Sequence, residues 1–343
     1  MTNEAVPAVS VVIPLYNHEK YIGEAIASVL SSSFGDFEIV VVDDGSTDGS
    51  AEIAKSVGDG RIRFFQQANA GAHEAINRGV SLARAPWIAI LNSDDRFHPL
   101  KLERHLHLHR RHPDLEASAS RVRYIFEDGR AMPRFTYPVQ RYVRLKRLYS
   151  GSGDLFPSLL LANHLITTSC LFVRKRVFSE VGGFIPLRYV HDRFMFLTLA
   201  AGGRFRVLEE DLVDYRRHAA NTIRENDYRG RVEDNFVLAW HLFNSLHEER
   251  GDYDLTDWIE SIDRNKRACP RLILMFEAWR RLNGGDLVRT AAIFNEPDHP
   301  VMQQALRMVE QGRGTRVFWD GLKGRLGNVL LRATFKAVKA LGL

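Results

Sequence analysis

The residues of this chain best suited to chemistry stand together in Asn92-Ser93-Asp94-Asp95, where two adjacent carboxylates follow the apolar run 87–91. Such a run reads as a buried parallel strand. In open α/β sheets, ligands sit in the crevice beyond the carboxyl ends of the strands, so acids placed there can hold a divalent cation against a phosphorylated substrate. Asp94 and Asp95 could equally cap the helix that follows them. The cluster taken alone leaves both uses open.

The preceding elements are those needed to position such a cluster. Residues 9–13 form an apolar, β-branched strand stopped by Pro14, and its exit carries Leu15, Tyr16 and Asn17. Helical spacing follows over 19–30. A second strand, 37–42, runs into Asp43, Asp44, Gly45, Ser46, Thr47 and Asp48, where Gly45 permits a tight turn and Ser46 or Thr47 can cap a helix at 51–57. Strand 61–65, helix 71–83 and strand 87–91 complete the alternation expected of βαβ units and a parallel sheet. There is neither a G-x-G-x-x-G after the first strand nor a G-x-x-x-x-G-K-[ST] in the chain. The strand ends instead offer Tyr16, Asp44, Asp94 and Asp95, an acidic rim that needs a bridging cation before it can hold a diphosphate. Singly, each has a structural use: Tyr16 as a half-buried aromatic, Glu19 as a first-turn helix acid, Asp44 as a turn residue. Asn69 and Asn77 either face the ligand or serve as turn and cap residues.

The second half continues with a helix at 101–112 carrying His105, His107, His109 and His112. His105 and His109 share a face, which suits metal ligation, but the expectation is a solvated basic surface. Residues 116–126 read as a strand. Segment 127–154 lacks a period and reads as an insert or mobile loop beside an acceptor. Residues 155–163 look helical, 168–173 extended and 175–181 helical. The turn Gly182-Gly183-Phe184 gives the backbone freedom to approach a ligand or another chain. His191 and Asp192 open a helix at 193–200, and short strands at 205–208 and 212–215 lead into Tyr215-Arg216-Arg217-His218. Arg216 or Arg217 can neutralise phosphate charge.

A chain of 343 residues with 45% hydrophobic content can bury a substantial core. Its formal net charge of +5 allows an anionic partner without choosing one. The 2 cysteines, Cys170 and Cys269, form no framework or metal-ligand spacing and fit a reducing compartment. With neither a signal-like start nor a spanning run of apolar residues, the expected location is cytoplasmic. From residue 226 the pattern is helical, over 232–250, 258–265, 271–282, 286–294 and 300–311. The tail 316–343 is a basic amphipathic helix, suited either to peripheral contact with the inner face of an anionic membrane or to packing on protein.

VSVVIPLYN, IVVVDDGSTDGS, NAGAHEAINRG and WIAILNSDD, in this order, resemble the nucleotide-binding half of family 2 glycosyltransferases with the GT-A fold. GGFIPLRYVHDRFMFLTLA and VDYRRHAANT are similar to that family's acceptor-side segment and closing Tyr-Arg-x-His motif. The resemblance covers residues 9–222. It implies an α/β, mostly parallel twisted sheet with flanking helices in a catalytic domain at 1–222 (nucleotide half 1–100, acceptor half 101–222); the helical region at 223–312 and the tail helix at 313–343, read from their periodicity, form an appendage outside the family's common core. It implies an inverting, metal-dependent transferase that moves a sugar from a UDP- or dTDP-linked donor to a hydroxyl of a saccharide or lipid-linked glycan. The implied setting is bacterial surface polysaccharide synthesis.

Position by position, the resemblance puts Pro14, Tyr16 and Glu19 near the base and ribose, and Asp44 at the base. Asn92, Ser93 and Asp94 occupy the place of the DxD motif, with Asn92 replacing its first acid. Asp94 becomes the metal ligand for Mn2+ or Mg2+, joined by His218. Arg217 faces the diphosphate, and Asp192 is the catalytic base, beside a His191 where the family carries an acid. The implied partners are donor and acceptor glycans, with no nucleic acid and a homo-oligomer left open. Two rivals remain: a nucleotidyltransferase, which would be expected to carry a basic glycine-rich loop where PLYNHEK stands, and a glycan- or nucleotide-binding protein without activity, favoured by Asn92 and His191.

Overall fold

Four parallel strands, β1 (Val9–Leu15), β2 (Phe37–Asp43), β3 (Ile62–Gln66) and β4 (Trp87–Ile90), form one half of an eight-stranded sheet in a computed structural model of the chain. The structure describes residues 6–140, 142–143, 155–156, 159, 163–219, 221 and 237. The helices expected from residue 232 onward and the tail helix, like most of 144–162, lie outside the described residues. Among the described residues no helix is long and apolar enough to cross a membrane.

Helices α1 (Ile22–Leu30), α2 (Ser50–Ser56) and α3 (Ala72–Leu82) connect these strands, in the order the sequence predicts. The strands run together because all seven residues of β1 and of β2, and all four of β4, are buried, which is the apolar signature of strands covered on both faces. Gly79 of α3 lies directly against Val12 of β1 and Val42 of β2, so a side chain there would collide with the sheet.

The other half of the sheet mixes directions. β5 (Arg96–Phe97) is followed by α4 (Lys101–Arg111), β6 (Ala117–Ile125), a 3-10 turn (Thr168–Cys170), β7 (Leu171–Arg174), α5 (Lys175–Glu180), α6 (His191–Ala201) and β8 (Phe205–Arg216). The strand order is β3-β2-β1-β4-β7-β6-β8-β5. β7 pairs antiparallel with both β4 and β6, β8 runs parallel to β6, and β5 pairs antiparallel with β8.

The chain divides into two compact units, one comprising Met1–Phe184 with Met195–Asn221 and the other Ile185–Phe194 with Thr222–Leu343.

Several expectations change. The two short strands expected at 205–208 and 212–215 are one strand, whose register on β6 shifts around Ser120 and Arg121, where Glu209, Glu210 and Asp211 are exposed. The strand expected at 168–173 begins as a 3-10 turn, because Thr167 and Ser169 turn their hydroxyls to Asp95. Gly182 and Gly183 have positive φ, and this turn meets Asn77, whose side-chain oxygen accepts from Phe184 N and whose amide donates to Phe184 O, both at 2.8 Å. Asn77 therefore acts as a clamp on that turn.

His105 and His109 are not solvated. Residues 101, 102, 105, 106 and 109 form the buried face of α4, while His107 is exposed.

Candidate functional site

The geometry of the site starts where β1 and β4 part. Val12 O accepts Leu91 N at 2.9 Å, and on the other edge of β1 Leu15 O accepts Asp44 N at 2.8 Å. In a strand, alternate residues point their backbone groups to alternate neighbours, so Pro14, two after Val12, faces the β4 side with no N–H to offer. The β1–β4 ladder ends at Val12 and Ile90. Beyond it the chain leaves β4 as Leu91-Asn92-Ser93-Asp94-Asp95, and β1 leaves as Tyr16-Asn17-His18-Glu19.

The loop after β1 is laced to the loop after β2. Asn17, at φ 51, takes Thr47 N on its side-chain oxygen (2.8 Å) and donates its own N–H to Ser46 Oγ (3.0 Å). His18 N donates to Ser50 Oγ at 2.8 Å. Glu19 Oε2 accepts Gly49 N at 2.9 Å, and Asp48 accepts Glu19 N and Ser50 N. Glu19 and Asp48, rather than Ser46 or Thr47, thus satisfy the orphan donors at the start of α2. Asp44 is buried and holds the next loop: Oδ1 accepts Gln67 Nε2 (2.7 Å) and Ala70 N (2.9 Å), and Oδ2 accepts Gly71 N (2.8 Å). Tyr16 is 46% exposed at the rim.

The two-residue strand β5 brings in the third segment. Its pairing of Arg96 with Asp214 and Phe97 with Val213 runs Asp94 and Asp95 antiparallel to the end of β8. Arg216, fully buried, donates from its backbone N to Asp95 Oδ1 (3.0 Å) and from Nε to Asp94 O (2.8 Å). Its other nitrogens reach Glu127 O (2.6 Å) and Glu24 Oε2 (2.7 Å). Arg216 is therefore a structural clamp. Arg217 is half-buried and lines an open cleft of about 650 Å³ with Lys20, Tyr21, Phe126, Glu127, Asp128 and Arg130.

Asn92, Ser93, Asp94 and Asp95 divide their work. Burial and the neighbouring Asp94 charge push the Asp95 carboxyl up, while it accepts from Ser169 Oγ (2.6 Å), Thr167 Oγ1 (3.1 Å) and Arg216 N. Asn92 donates from Nδ2 to Thr167 Oγ1 (2.9 Å) and accepts from Thr168 Oγ1 (2.7 Å). An aspartate there could not donate, and would set a third carboxylate beside two others. Ser93 Oγ lies 2.7 Å from His18 Nδ1. Asp94 Oδ2 lies 3.0 Å from His218 Nε2 and accepts Asn221 Nδ2 at 3.3 Å.

His18, Asp94 and His218 each offer a ligand atom, all within 4.8 Å of one another, and among the described residues they form the one group of this kind. Two imidazoles and a carboxylate are a donor set that fits a divalent cation. The rings of His18 and His218 meet edge to face at 5.8 Å, and Tyr21 packs on His218 at 4.8 Å. Burial lowers the His18 pKa, helped by His218 and opposed by Asp94. Burial and the hydrogen bond to Glu127 push the Tyr21 hydroxyl up to about 12.

The structure thus gathers Ser93, Asp94 and His218, and adds His18, which sequence reasoning missed: a lone histidine in a loop carries no pattern, and its partner Ser93 is 75 residues away. Pro14, Tyr16, Glu19 and Asp44 stand at the ends of β1 and β2 around the same crevice. Asp192 lies in the first turn of α6, buried, with Oδ1 accepting Arg193 N at 2.6 Å. It belongs to the unit that includes Ile185–Phe194.

Residues 10–182 match the family described as Glycosyl transferase family 2. The chain belongs to that family. An uncharacterized glycosyltransferase of Rickettsia typhi is 30% identical over 216 residues, 63% of this chain and 66% of the relative. The chain therefore spans just under two thirds of the length of the first curated relatives it matches. Among solved structures, S. aureus TarS 1–349 in complex with UDP superposes with a TM-score of 0.53 at 17% identity, covering 89% of this chain and 91% of TarS. Its complex with UDP-GlcNAc gives 0.53 at 18%, with 89% and 92% covered. At that identity the likeness carries the fold, which is GT-A: a mixed, mostly parallel sheet with flanking helices.

Proposed function

We propose that the chain is an inverting, metal-dependent glycosyltransferase. It moves a sugar from a nucleoside diphosphate donor, of UDP or dTDP type, to a hydroxyl of a saccharide or lipid-linked glycan in bacterial surface polysaccharide synthesis. The observation that carries this reading is the meeting of Asp94 and His218 at the open end of the sheet, in a chain whose family transfers glycosyl groups. Asp94 and His218 would hold a cation, which when bound supplies positive charge to the diphosphate leaving group.

The protein's own residues do the rest. Tyr16, Glu19 and Asp44 line the base and ribose side, with Pro14 setting the opening between strands. Asp44 has committed its carboxylate oxygens to three loop donors, and an oxygen with a remaining lone pair can accept one more from a base. Arg217 adds charge near the diphosphate. The acceptor oxygen attacks the anomeric carbon as the bond to the diphosphate oxygen breaks on the opposite face, inverting the centre. The acceptor proton passes to Asp192, and the electron pair leaves with the nucleoside diphosphate.

Asn92 does not favour an inactive protein, since its amide has a structural task that an acid could not perform. The TarS complexes with UDP and UDP-GlcNAc make UDP the first nucleotide to test. The test is turnover of a nucleotide-sugar panel with Mn2+ or Mg2+ and saccharide acceptors. Release of a nucleoside diphosphate is expected. Release of pyrophosphate would mark a nucleotidyltransferase, and no release across the panel would mark a binding protein.

A further inference from the structure

His18 stands in the site beside Asp94 and His218. It comes from the loop after β1, a different segment from those of Asp94 and His218, and four interactions fix it. Its N–H donates to Ser50 Oγ (2.8 Å), Nδ1 meets Ser93 Oγ (2.7 Å), and its ring edge abuts both His218 and Tyr21 at 5.8 Å. With Nδ1 taken up by the Ser93 hydroxyl, the ring has Nε2 left for whatever lies on its other side, and a hydrogen bond at the second ring nitrogen is the arrangement found around metal-bound histidines.

We infer that His18 is a third protein ligand of the cation site, giving a two-histidine, one-carboxylate set that takes a first-row transition ion such as Mn2+ in preference to Mg2+. The inference rests on the reading that Asp94 and His218 hold a cation, and goes beyond it by naming a further ligand and the class of ion. Mg2+ seeks octahedral oxygen ligands and keeps its waters, whereas imidazole nitrogen favours transition ions. Replacing an oxygen ligand by a second nitrogen therefore shifts the site away from Mg2+. Ser93 is the positioning residue, acting through the His18 ring.

The untagged full chain, stripped with chelator, is titrated with Mn2+ alone and followed by electron paramagnetic resonance. Electron spin-echo modulation then counts the imidazole nitrogens bound to the ion, and Mg2+ is added as competitor. Two nitrogens are expected in the wild type and one in His18→Ala. That variant should bind Mn2+ at least about tenfold more weakly, with Mg2+ affinity changed far less. Ser93→Ala should keep both nitrogens and weaken Mn2+ binding. A single nitrogen in the wild type, with binding still lost in Asp94→Asn and His218→Ala, would overturn the role of His18 and leave the cation reading standing. Undiminished Mn2+ binding in Asp94→Asn and His218→Ala would overturn the cation reading itself. Should His18→Ala fail to fold, the wild-type nitrogen count alone decides.

Discussion

Two clusters of histidines lie in the same unit and come to opposite ends. His18 and His218 stand beside Asp94 where the parallel strands open. His105 and His109 stand beneath α4 with Lys101, hydrogen-bonded to Ser118 and Ser120 of β6, and stacked on Phe172. The first cluster has a carboxylate within hydrogen-bond reach. The second has hydroxyls, the Cys170 and Leu115 carbonyls and aromatic faces, so burial there selects neutral groups: Lys101 falls to about 7, His109 to about 4, and His105 well below its ordinary value. Residue type therefore says little about role. The charge of the neighbours and the openness of the strand ends separate a histidine placed beside a carboxylate from one that fills a core.

The sharpest contrast is expected at the chemistry. Asp192→Asn should lower turnover by about a hundred- to ten-thousand-fold while leaving UDP affinity nearly intact, as removal of a base does. Steady-state kinetics and a UDP titration on one preparation check it, and equal loss of both would remove Asp192 from that role. Asp94→Asn should cost about a hundred- to a thousand-fold in turnover, the scale of losing one electrostatic stabiliser, and should also weaken UDP binding while leaving the melting temperature nearly unchanged.

The buried cluster should behave in reverse. His105→Ala removes a ring stacked on Phe172 at 4.9 Å and should destabilise the fold by about 2–4 kcal/mol, with KM for the donor unchanged. Urea unfolding alongside kinetics separates the two clusters, and a KM effect without a stability effect would reverse the assignment.

The pH dependence should carry the smallest effect. Lys101 has a folded pKa of about 7 against the model-compound 10.5, so between those values the unfolded chain binds the extra proton and stability rises with pH. His109, at about 4 against 6.5, adds a rise between those limits, and His105 shifts in the same direction. Lys101→Met should flatten the upper rise, on the order of 1–3 kcal/mol, and leave the lower one. An unchanged profile would mean that Lys101 is charged where it lies.

The parallel half of the fold is legible because buried strands carry β-branched runs at their centres, VVI in VSVVIPL and IVVV in FEIVVVD. The short strand β5 is not, because two residues carry no period, yet its pairing with β8 sets Asp94 opposite the segment bearing His218. The many basic and histidine residues of α4 suggest a solvated surface, but its helical period groups His105 and His109 with Leu102 and Leu106, and burial follows the period. Arg216 and Arg217 were indistinguishable as letters, and only the β8 pleat buries one and leaves the other at the cleft.

In the proposed mechanism Asp94 and His218 join a cation to a diphosphate. Calorimetric titration of UDP into the full chain, with Mn2+ and again with excess chelator, tests it most directly. Binding should depend on the ion and weaken markedly in Asp94→Asn. UDP bound equally tightly under chelation, or by Asp94→Asn, would contradict it.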